Sequence, residues 1–542
     1  MKKKRRNNKE LLLAILSGLL MAGAWPTYGF SSLIFVAFVP LLFVERSLST
    51  YVKRHSWLLI RYSFISFLIF NLITTWWIGK VALAAGVSCL LNAIVMTVFF
   101  QFYHLIRTSI YNKDDKGQWT LIITWLCFEL LHYHWELNFP WLTLGNVFAT
   151  DIKLIQWYEF TGVFGGSLWV LVTNVLIYRA VSYFMYSDKS YIKLIKNLIA
   201  PLLVIIVPMI LSTIMFYSYK EKEDPIDVVV YQPNNDPFDE QYSLTVNQII
   251  DNLFIQSDSL LDENVDYIVC PESVLQGGTF EHQLDEALYI SRIRKGIGSK
   301  APNAAMIIGA STYKLYQKGE PLEPTARKFN NHDSYYDAYN TNLYIDTTFK
   351  IQKRHKSRLT PGVERMPYIK YLKFIENYAL DLGGTVGSLG IDKEEIPFVS
   401  PDKRVKIASI ICYESIFGEF VTNFIKNGAN VIFISTNDGW WGDTQGYKQH
   451  CAYASVLAVE TRRSIARSAN TGRSCTINQR GEISNATDYW VKAVFREKIN
   501  LNNTKTFYSR YGDYIAHISA IIGLMLVFIA IINRIITNKV NE

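Results

Sequence analysis

The sequence predicts two bodies of different class: a multi-span α-helical membrane domain of about eight transmembrane helices, and an α/β domain of sheets covered by helices. Three observations carry this. Half of the 542 residues are hydrophobic and 14% are aromatic, a high share for a chain that faces only water. Apolar segments crowd the first 220 residues and recur once near the C-terminus, several of them close to the ~20 residues that cross a bilayer. Between them, from about Asp224 to Asn500, short β-branched runs alternate with helical patterns. The expected division is 1–220 for the N-terminal membrane region, 221–505 for the α/β domain, and 506–542 for a last span with a short tail.

The first apolar segment, Leu11 to Trp25, follows the basic start Met1 to Arg6. It has the pattern of a signal peptide but is read as a retained span, because more apolar segments follow at once. These run approximately over Ser32 to Val44, Trp57 to Ile78, Val81 to Leu105, Trp119 to Tyr133, Gly162 to Tyr178 and Leu194 to Tyr217, with an eighth at Tyr514 to Ile532. Lys2 to Arg6, Arg46, Lys53, Arg54, Arg107, Lys113, Lys116, Arg179, Lys189, Lys193 and Lys196 fall on one side if the N-terminus is cytoplasmic. That orientation sends Glu221 onward to the outer face. Glu129, inside the fifth span, is either a functional intramembrane carboxylate or a hydrogen-bonding contact between helices.

The net charge of +8 raises the question of a nucleic-acid partner. The basic residues sit beside apolar spans rather than on one face, which fits phospholipid headgroups and argues against nucleic acid. The six cysteines, Cys89, Cys127, Cys270, Cys412, Cys451 and Cys475, have neither zinc-ligand nor disulfide-framework spacing, so no metal or cofactor is expected.

Within the α/β region, Ile226 to Tyr231, Tyr267 to Val269, Ala305 to Gly309, Leu343 to Ile345, Ile407 to Ile411 and Val431 to Ile434 read as strands. Leu244 to Leu261, Gln283 to Lys300 and Tyr447 to Ala469 read as helices. Three strand ends carry chemistry. The run Ile407 to Ile411 stops at Cys412, just before a helical pattern, where a helix N-terminus would lower the thiol pKa and favour the nucleophilic thiolate. The run from Val265 delivers Glu272 after a proline, and the run from Phe349 ends in Lys356. A thiol nucleophile, a carboxylate base and a fixed cation for the oxyanion suffice for acyl transfer. Ser273 has no histidine or nucleophile elbow to support it, and Cys451 and Cys475 read as packing residues.

These residues occur as Pro271-Glu272-Ser273, Lys356-Ser-Arg-Leu-Thr-Pro361 with Glu364 and Pro367 beyond, Cys412-Tyr413-Glu414, and Ser435-Thr-Asn437-Asp438-Gly-Trp440-Trp441-Gly442-Asp443. In that order they resemble the nitrilase or carbon–nitrogen hydrolase superfamily, and within it the apolipoprotein N-acyltransferase family, over nearly the whole chain. The outer loop Trp135 to Asn146 resembles a motif of the same family. Cys270 and Pro361-Gly-Val-Glu364 depart from the usual pattern. The resemblance implies an α-β-β-α sandwich with a Glu272-Lys356-Cys412 triad. It also implies supporting or substrate-binding roles for Glu364, Tyr413, Glu414, Trp440 and Trp441. A phospholipid acyl donor, a diacylated lipoprotein acceptor and a bacterial cytoplasmic membrane with the catalytic domain on the periplasmic side follow from it too.

The residues themselves leave two other classes open: a membrane-tethered amidase or nitrilase that uses water as acceptor, and a lipid transporter or receptor with a degenerate enzyme domain. Met366 to Leu380 is amphipathic and followed by Gly383, Gly384 and Gly387, so it reads as a lid with a glycine hinge or as a surface helix.

Overall fold

The computed structural model describes residues 2–49, 56–80, 86–111, 115–237, 243–348, 350–372 and 388–541. The chain divides into two compact units, Met1–Ser218 with Tyr511–Glu542, and Tyr219–Arg510. The segment expected to stand apart at the C-terminus thus belongs to the N-terminal unit.

That first unit is helical. Within their described residues the expected spans fall almost entirely on helices or 3-10 turns, residues 81–85 of the fourth lying outside them, and six segments among the described residues are long and apolar enough to cross a membrane: Ser31–Ser49, Trp57–Lys80, Val87–Tyr111, Tyr158–Tyr186, Tyr191–Ser218 and Tyr514–Thr537. The helix Thr120–His134 has only 15 residues, about 22 Å at 1.5 Å per residue, short of a ~30 Å hydrocarbon core. The helix Lys2–Ala24 carries a basic first half, which leaves it too little apolar length. Where the second span breaks between a 3-10 turn (Ser31–Val36) and a helix (Val39–Ser49), the freed backbone is satisfied from inside. Asn174 Oδ1 accepts the Phe38 N–H at 2.8 Å and its amide donates to the Ile34 carbonyl at 2.8 Å. Such repair is required where water cannot reach. Glu129 does similar work: its Oε1 accepts the Leu144 N–H at 2.8 Å, which ties the start of the 3-10 turn Leu144–Phe148 to its helix. The exposed faces of Tyr191–Ser218 and Tyr514–Asn541 are apolar, with Ile195, Leu203, Ile214, Leu524 and Phe528 each more than half exposed.

Among its described residues the second unit holds fourteen strands: β1 (Pro225–Gln232), β2 (Tyr267–Val269), β3 (Leu275–Phe280), β4 (Ala305–Leu315), β5 (Arg327–Lys328), β6 (Tyr335–Ile345), β7 (Gln352–His355), β8 (Phe398–Val399), β9 (Lys406–Ile411), β10 (Val431–Thr436), β11 (Ile465–Ala469), β12 (Cys475–Ile477), β13 (Ile483–Ser484) and β14 (Ala493–Asn500). One sheet runs β14-β1-β2-β4-β6-β5, with β3 added on β4 and β7 on β6. The other runs β13-β12-β11-β10-β9-β8. Strand alternation sorts the side chains into two cores. Ile226, Val228 and Val230 pack with Ile307, Ile407, Val431 and Phe433 between the sheets. Val229 and Tyr231 point the other way, onto Ile250 and Leu253 of the helix Val246–Ser257 and Ile293 and Ile297 of the helix Leu288–Lys300. Each fully buried aliphatic side chain stabilises this arrangement by about 1.5–3 kcal/mol. The helices Gly418–Lys426 and Gln445–Thr461 belong with the second sheet, completing the α-β-β-α order.

Two expectations change. The helix expected from Tyr447 to Ala469 stops at Thr461, where Arg462 turns left-handed (φ 50°), and Ile465–Ala469 is β11, parallel to β10. Of the expected lid, residues 373–387, including the three hinge glycines, lie outside the described residues. Its described start has one helical turn, Ile369–Leu372.

Candidate active site

Glu272, Lys356 and Cys412 leave the ends of β2, β7 and β9 and meet above the strand ends. The Glu272 turn rests directly on β4: Gly309 donates to the Pro271 carbonyl at 3.1 Å, and Val274 donates to the Gly309 carbonyl at 3.0 Å. A side chain at Gly309 would bring a Cβ within 2.4 Å of the Ser273 nitrogen and 2.6 Å of the Pro271 oxygen, so only glycine admits this approach. Lys356 Nζ donates to Glu272 Oε1 at 2.9 Å and to Glu364 Oε1 at 2.8 Å. Asn340, from β6, donates its amide to the same two oxygens at 2.7 and 3.2 Å, and its carbonyl accepts the Lys356 N–H at 2.8 Å. The second oxygen of Glu364 accepts the Thr360 N–H at 2.9 Å, so the atypical loop Pro361 to Glu364 still presents its carboxylate to the lysine.

The ammonium is buried at 2% exposure. Burial opposes its charge, but Glu272, Glu364 and Cys412 outweigh burial and hold its pKa well above the ordinary lysine value. Burial likewise opposes the charge on Glu364, and Lys356 overrides it, holding that carboxyl below the usual range. The cluster thus favours the charged form of Lys356.

Cys412 opens a 3-10 turn, Cys412–Ile416, and has a left-handed backbone (φ 51°), a conformation that is strained for a residue with a side chain. Its thiol runs opposite to the sequence expectation. Burial pushes the pKa up and Glu272 pushes it further, while Lys356 and a hydrogen bond with the Thr436 hydroxyl pull back less. A five-residue 3-10 turn is a weak dipole beside a desolvated sulfur, and the α-helix proper begins only at Gly418. These contacts favour the protonated thiol at Cys412.

Glu414 is engaged on every side by the fold. It is fully buried and accepts from Arg354 Nη1 and Nη2 at 2.6 and 2.5 Å, from the N–H groups of Ser357 and Arg358 at 2.6 and 3.3 Å, and from Ile411 N–H at 2.8 Å. It thus ties the loop after Lys356 to the turn that carries Cys412.

A model of the carbon-nitrogen hydrolase family matches residues 228–508. The chain belongs to that family. A model of the apolipoprotein N-acyltransferase N-terminal domain matches residues 17–176 of the helical unit. Among curated relatives, the apolipoprotein N-acyltransferase of Chlorobaculum tepidum is 27% identical over 550 residues, covering 97% of this chain and 97% of its own. That of Geobacter metallireducens is 27% identical over 523 residues, covering 94% and 92%. Among solved structures, a nitrilase-superfamily amidase from Nesterenkonia AN1 is 12% identical with a TM-score of 0.35, covering 55% of this chain and 97% of its own.

The other expected residues of this hydrolase-family site are close by. Tyr413 follows the nucleophile and packs edge-on against Phe417, ring centroids 5.3 Å apart. Trp440 and Trp441 lie half-buried in the 3-10 turn Asp438–Trp441, Trp441 with its ring 5.3 Å from that of His450. Cys451 and Cys475 face each other with sulfurs 3.7 Å apart in the core. Sequence reasoning missed Asn340, which alternates among strand residues without any local signal, and missed His450 and Arg467. Arg467 left a trace, as a cation within the otherwise apolar and small run Ser464 to Ala469.

Proposed function

We propose that this chain transfers a fatty acyl group from a membrane phospholipid, through a thioester on Cys412, to the N-terminal amine of a diacylglyceryl-cysteine lipoprotein. It does so in the bacterial cytoplasmic membrane with its hydrolase-family unit on the periplasmic side. The observation that carries this reading is the convergence of Glu272, Lys356, Glu364 and Cys412 in one buried cluster, on a chain with six helices among its described residues long and apolar enough to span a bilayer. The relatives' names supply an N-acyl transfer to an apolipoprotein, and the phospholipid donor is what the family resemblance implies.

Glu272 takes the thiol proton as sulfur attacks the ester carbonyl. The tetrahedral oxyanion is held by Lys356 and the Tyr413 N–H, two donors that need no reorganisation. Collapse breaks the ester bond, and Glu272 returns the proton to the departing lysophospholipid oxygen. In the second half, the lipoprotein amine attacks the thioester, Glu272 accepts its proton, and the sulfur of Cys412 leaves and takes that proton from Glu272, which restores the thiol and the carboxylate. Glu364 and Asn340 keep Lys356 and Glu272 in register throughout. Because the thiol is held protonated, the base is required in the first half-reaction.

Intact mass spectrometry after incubation with phospholipid and no acceptor tests the reading. One acyl mass should be added, be removed by hydroxylamine, and be absent from Cys412→Ala. An acylated Cys412→Ala protein, or a wild-type chain that stays unmodified in a lipid bilayer, refutes it.

A further inference from the structure

Behind the nucleophile lies a second cluster of charged groups that the acyl-transfer steps do not use. His450, Asp438 and Arg467 all have 0% exposure, and they come from three elements: the helix Gln445–Thr461, the turn after β10, and β11. Arg467 Nη2 donates to Asp438 Oδ1 and Oδ2 at 3.0 and 2.9 Å and reaches His450 Nδ1 at 3.0 Å. Nδ1 also lies 3.2 Å from Asp438 Oδ1 and so stands between a donor and an acceptor; Nε2 faces the Cys412 backbone carbonyl, which can only accept, and this places the ring hydrogen on Nε2 and leaves Nδ1 to take the arginine donor. Nε2 lies 3.2 Å from the backbone carbonyl of Cys412 and 2.9 Å from Ser415 Oγ, which itself donates to that carbonyl at 2.8 Å. The carbonyl of the residue with left-handed backbone is therefore captured by two side chains at once. Burial also lowers the His450 pKa, with Arg467 acting in the same direction against Asp438, in keeping with a neutral ring.

The same carboxylate reaches the sulfur by another route. Thr436, the last residue of β10, donates its hydroxyl to Asp438 Oδ1 at 3.2 Å and is hydrogen-bonded to Cys412. While the sulfur is a thiol, the Thr436 hydroxyl hydrogen is directed at Asp438 Oδ1. When the proton leaves for Glu272, the hydroxyl can rotate to donate to the thiolate, since hydroxyl rotors turn freely and Asp438 keeps its Arg467 contacts.

We propose that Asp438, Arg467 and His450 form a buried positioning relay for the nucleophile, holding the strained Cys412 turn through its carbonyl and presenting the Thr436 hydroxyl to stabilise the thiolate. The proposal rests on Cys412 being the nucleophile, and it adds four residues that act through it.

The test uses the full-length membrane enzyme and two probes. Iodoacetamide labelling at Cys412, read by peptide mass spectrometry across pH, reports the thiolate without any lipid. Acyl-enzyme formation from phospholipid reports the reaction. Thr436→Val, which keeps the shape, should move the alkaline limb of labelling up by about one pH unit, roughly tenfold slower labelling at a fixed pH. His450→Leu should slow acyl-enzyme formation by about 10–100-fold, and His450→Gln, whose amide can donate where Nε2 does, should restore most of it. An unmoved labelling limb in Thr436→Val overturns the proposal. So does a pair of His450 variants that share a fall in melting temperature yet react at the same rate per folded molecule. A wild-type chain that labels at Cys412 but accepts no acyl group instead refutes the phospholipid reading, and the labelling limb of Thr436→Val still decides the relay.

Discussion

Arg354 and Lys356 stand two residues apart, each buried with a carboxylate partner, yet the two clusters are built for different ends. Arg354 presents a planar fork to both oxygens of Glu414 and lies over the rings of Phe424 and Phe420, at 5.0 and 5.6 Å. Three backbone N–H groups fill the remaining acceptor sites of Glu414. A saturated carboxylate facing a guanidinium that cannot lose its proton has no chemistry left; it fixes geometry. Lys356 instead shares one compact charge between single oxygens of two carboxylates and acts at the same time on the Cys412 sulfur. The contrast teaches that the arginine pair fixes the loop, whereas the lysine cluster keeps a compact charge beside the sulfur, as the proposed oxyanion role requires.

Breaking the saturated pair should have the largest effect, and on folding. Arg354→Met leaves Glu414 buried without its counter-charge, which destabilises by about 3–5 kcal/mol. We expect a large fall in melting temperature and little protein recovered in the membrane. Arg354→Lys keeps the charge but loses the fork and should lie between the variant and wild type. A well-folded Arg354→Met protein with full activity would show that the backbone donors alone hold Glu414.

Breaking the lysine cluster should act on rate instead. Lys356→Met should lower acyl-enzyme formation by ~10²–10³-fold through loss of oxyanion stabilisation. Glu272 and Glu364, left facing each other, then share a proton, so the fold should survive better than in Arg354→Met. Lys356→Arg should not rescue, because a fork aimed at two carboxylates cannot present the same point charge. Normal thioester formation in Lys356→Met would remove the lysine from the reaction.

The comparison also separates what the sequence makes legible from what it hides. Buried β-branched runs such as Val228 to Val230 and Ile407 to Ile411 announce their strands, and chemistry placed at strand ends follows from the same runs. The strand Ile465–Ala469 was hidden. No glycine or proline separates it from the preceding helix, and the break is made by Arg462 in a left-handed conformation that its residue type does not advertise. The role of Glu414 was hidden for another reason. Next to Cys412 it reads only as a supporting or substrate-binding residue, and the path of the chain is what brings Arg354 and three backbone donors around it. The direction of the Cys412 pKa failed similarly, because helix position can be read from sequence whereas desolvation and the nearness of Glu272 are properties of the folded site.

A gentler change sharpens the contrast through pH. The pKa of Glu364 is held below its ordinary value, chiefly by Lys356 working against burial. A carboxyl depressed in the folded state contributes stability that is present above its unfolded pKa and lost as pH falls through its folded one. Urea unfolding at descending pH should therefore show the wild type losing stability over that acid window. In Glu364→Gln the loss should be smaller, because the titrating group is gone, although the starting stability is lower. An identical acid limb in both proteins would mean that Glu364 carries no linked proton.

The smallest effect should come from an ion pair of the same chemistry placed in water. Arg292 Nη2 meets Asp251 Oδ1 at 2.5 Å, a distance equal to the shorter contact between Arg354 and Glu414, but the two side chains are 46% and 49% exposed. At the surface the Coulomb attraction is screened and both ions are already solvated, so the pair is worth about 0–1 kcal/mol. Arg292→Ala, Asp251→Ala and the double variant should each stay within about 0.5 kcal/mol of wild type in unfolding free energy, with unchanged acylation. The coupling energy from the cycle should shrink further in high salt, whereas the cost of Arg354→Met should hardly respond to salt. If the exposed pair proved as costly to break as the buried one, then distance and not burial would govern these contacts, and the contrast between Arg354 and Lys356 would lose its physical basis.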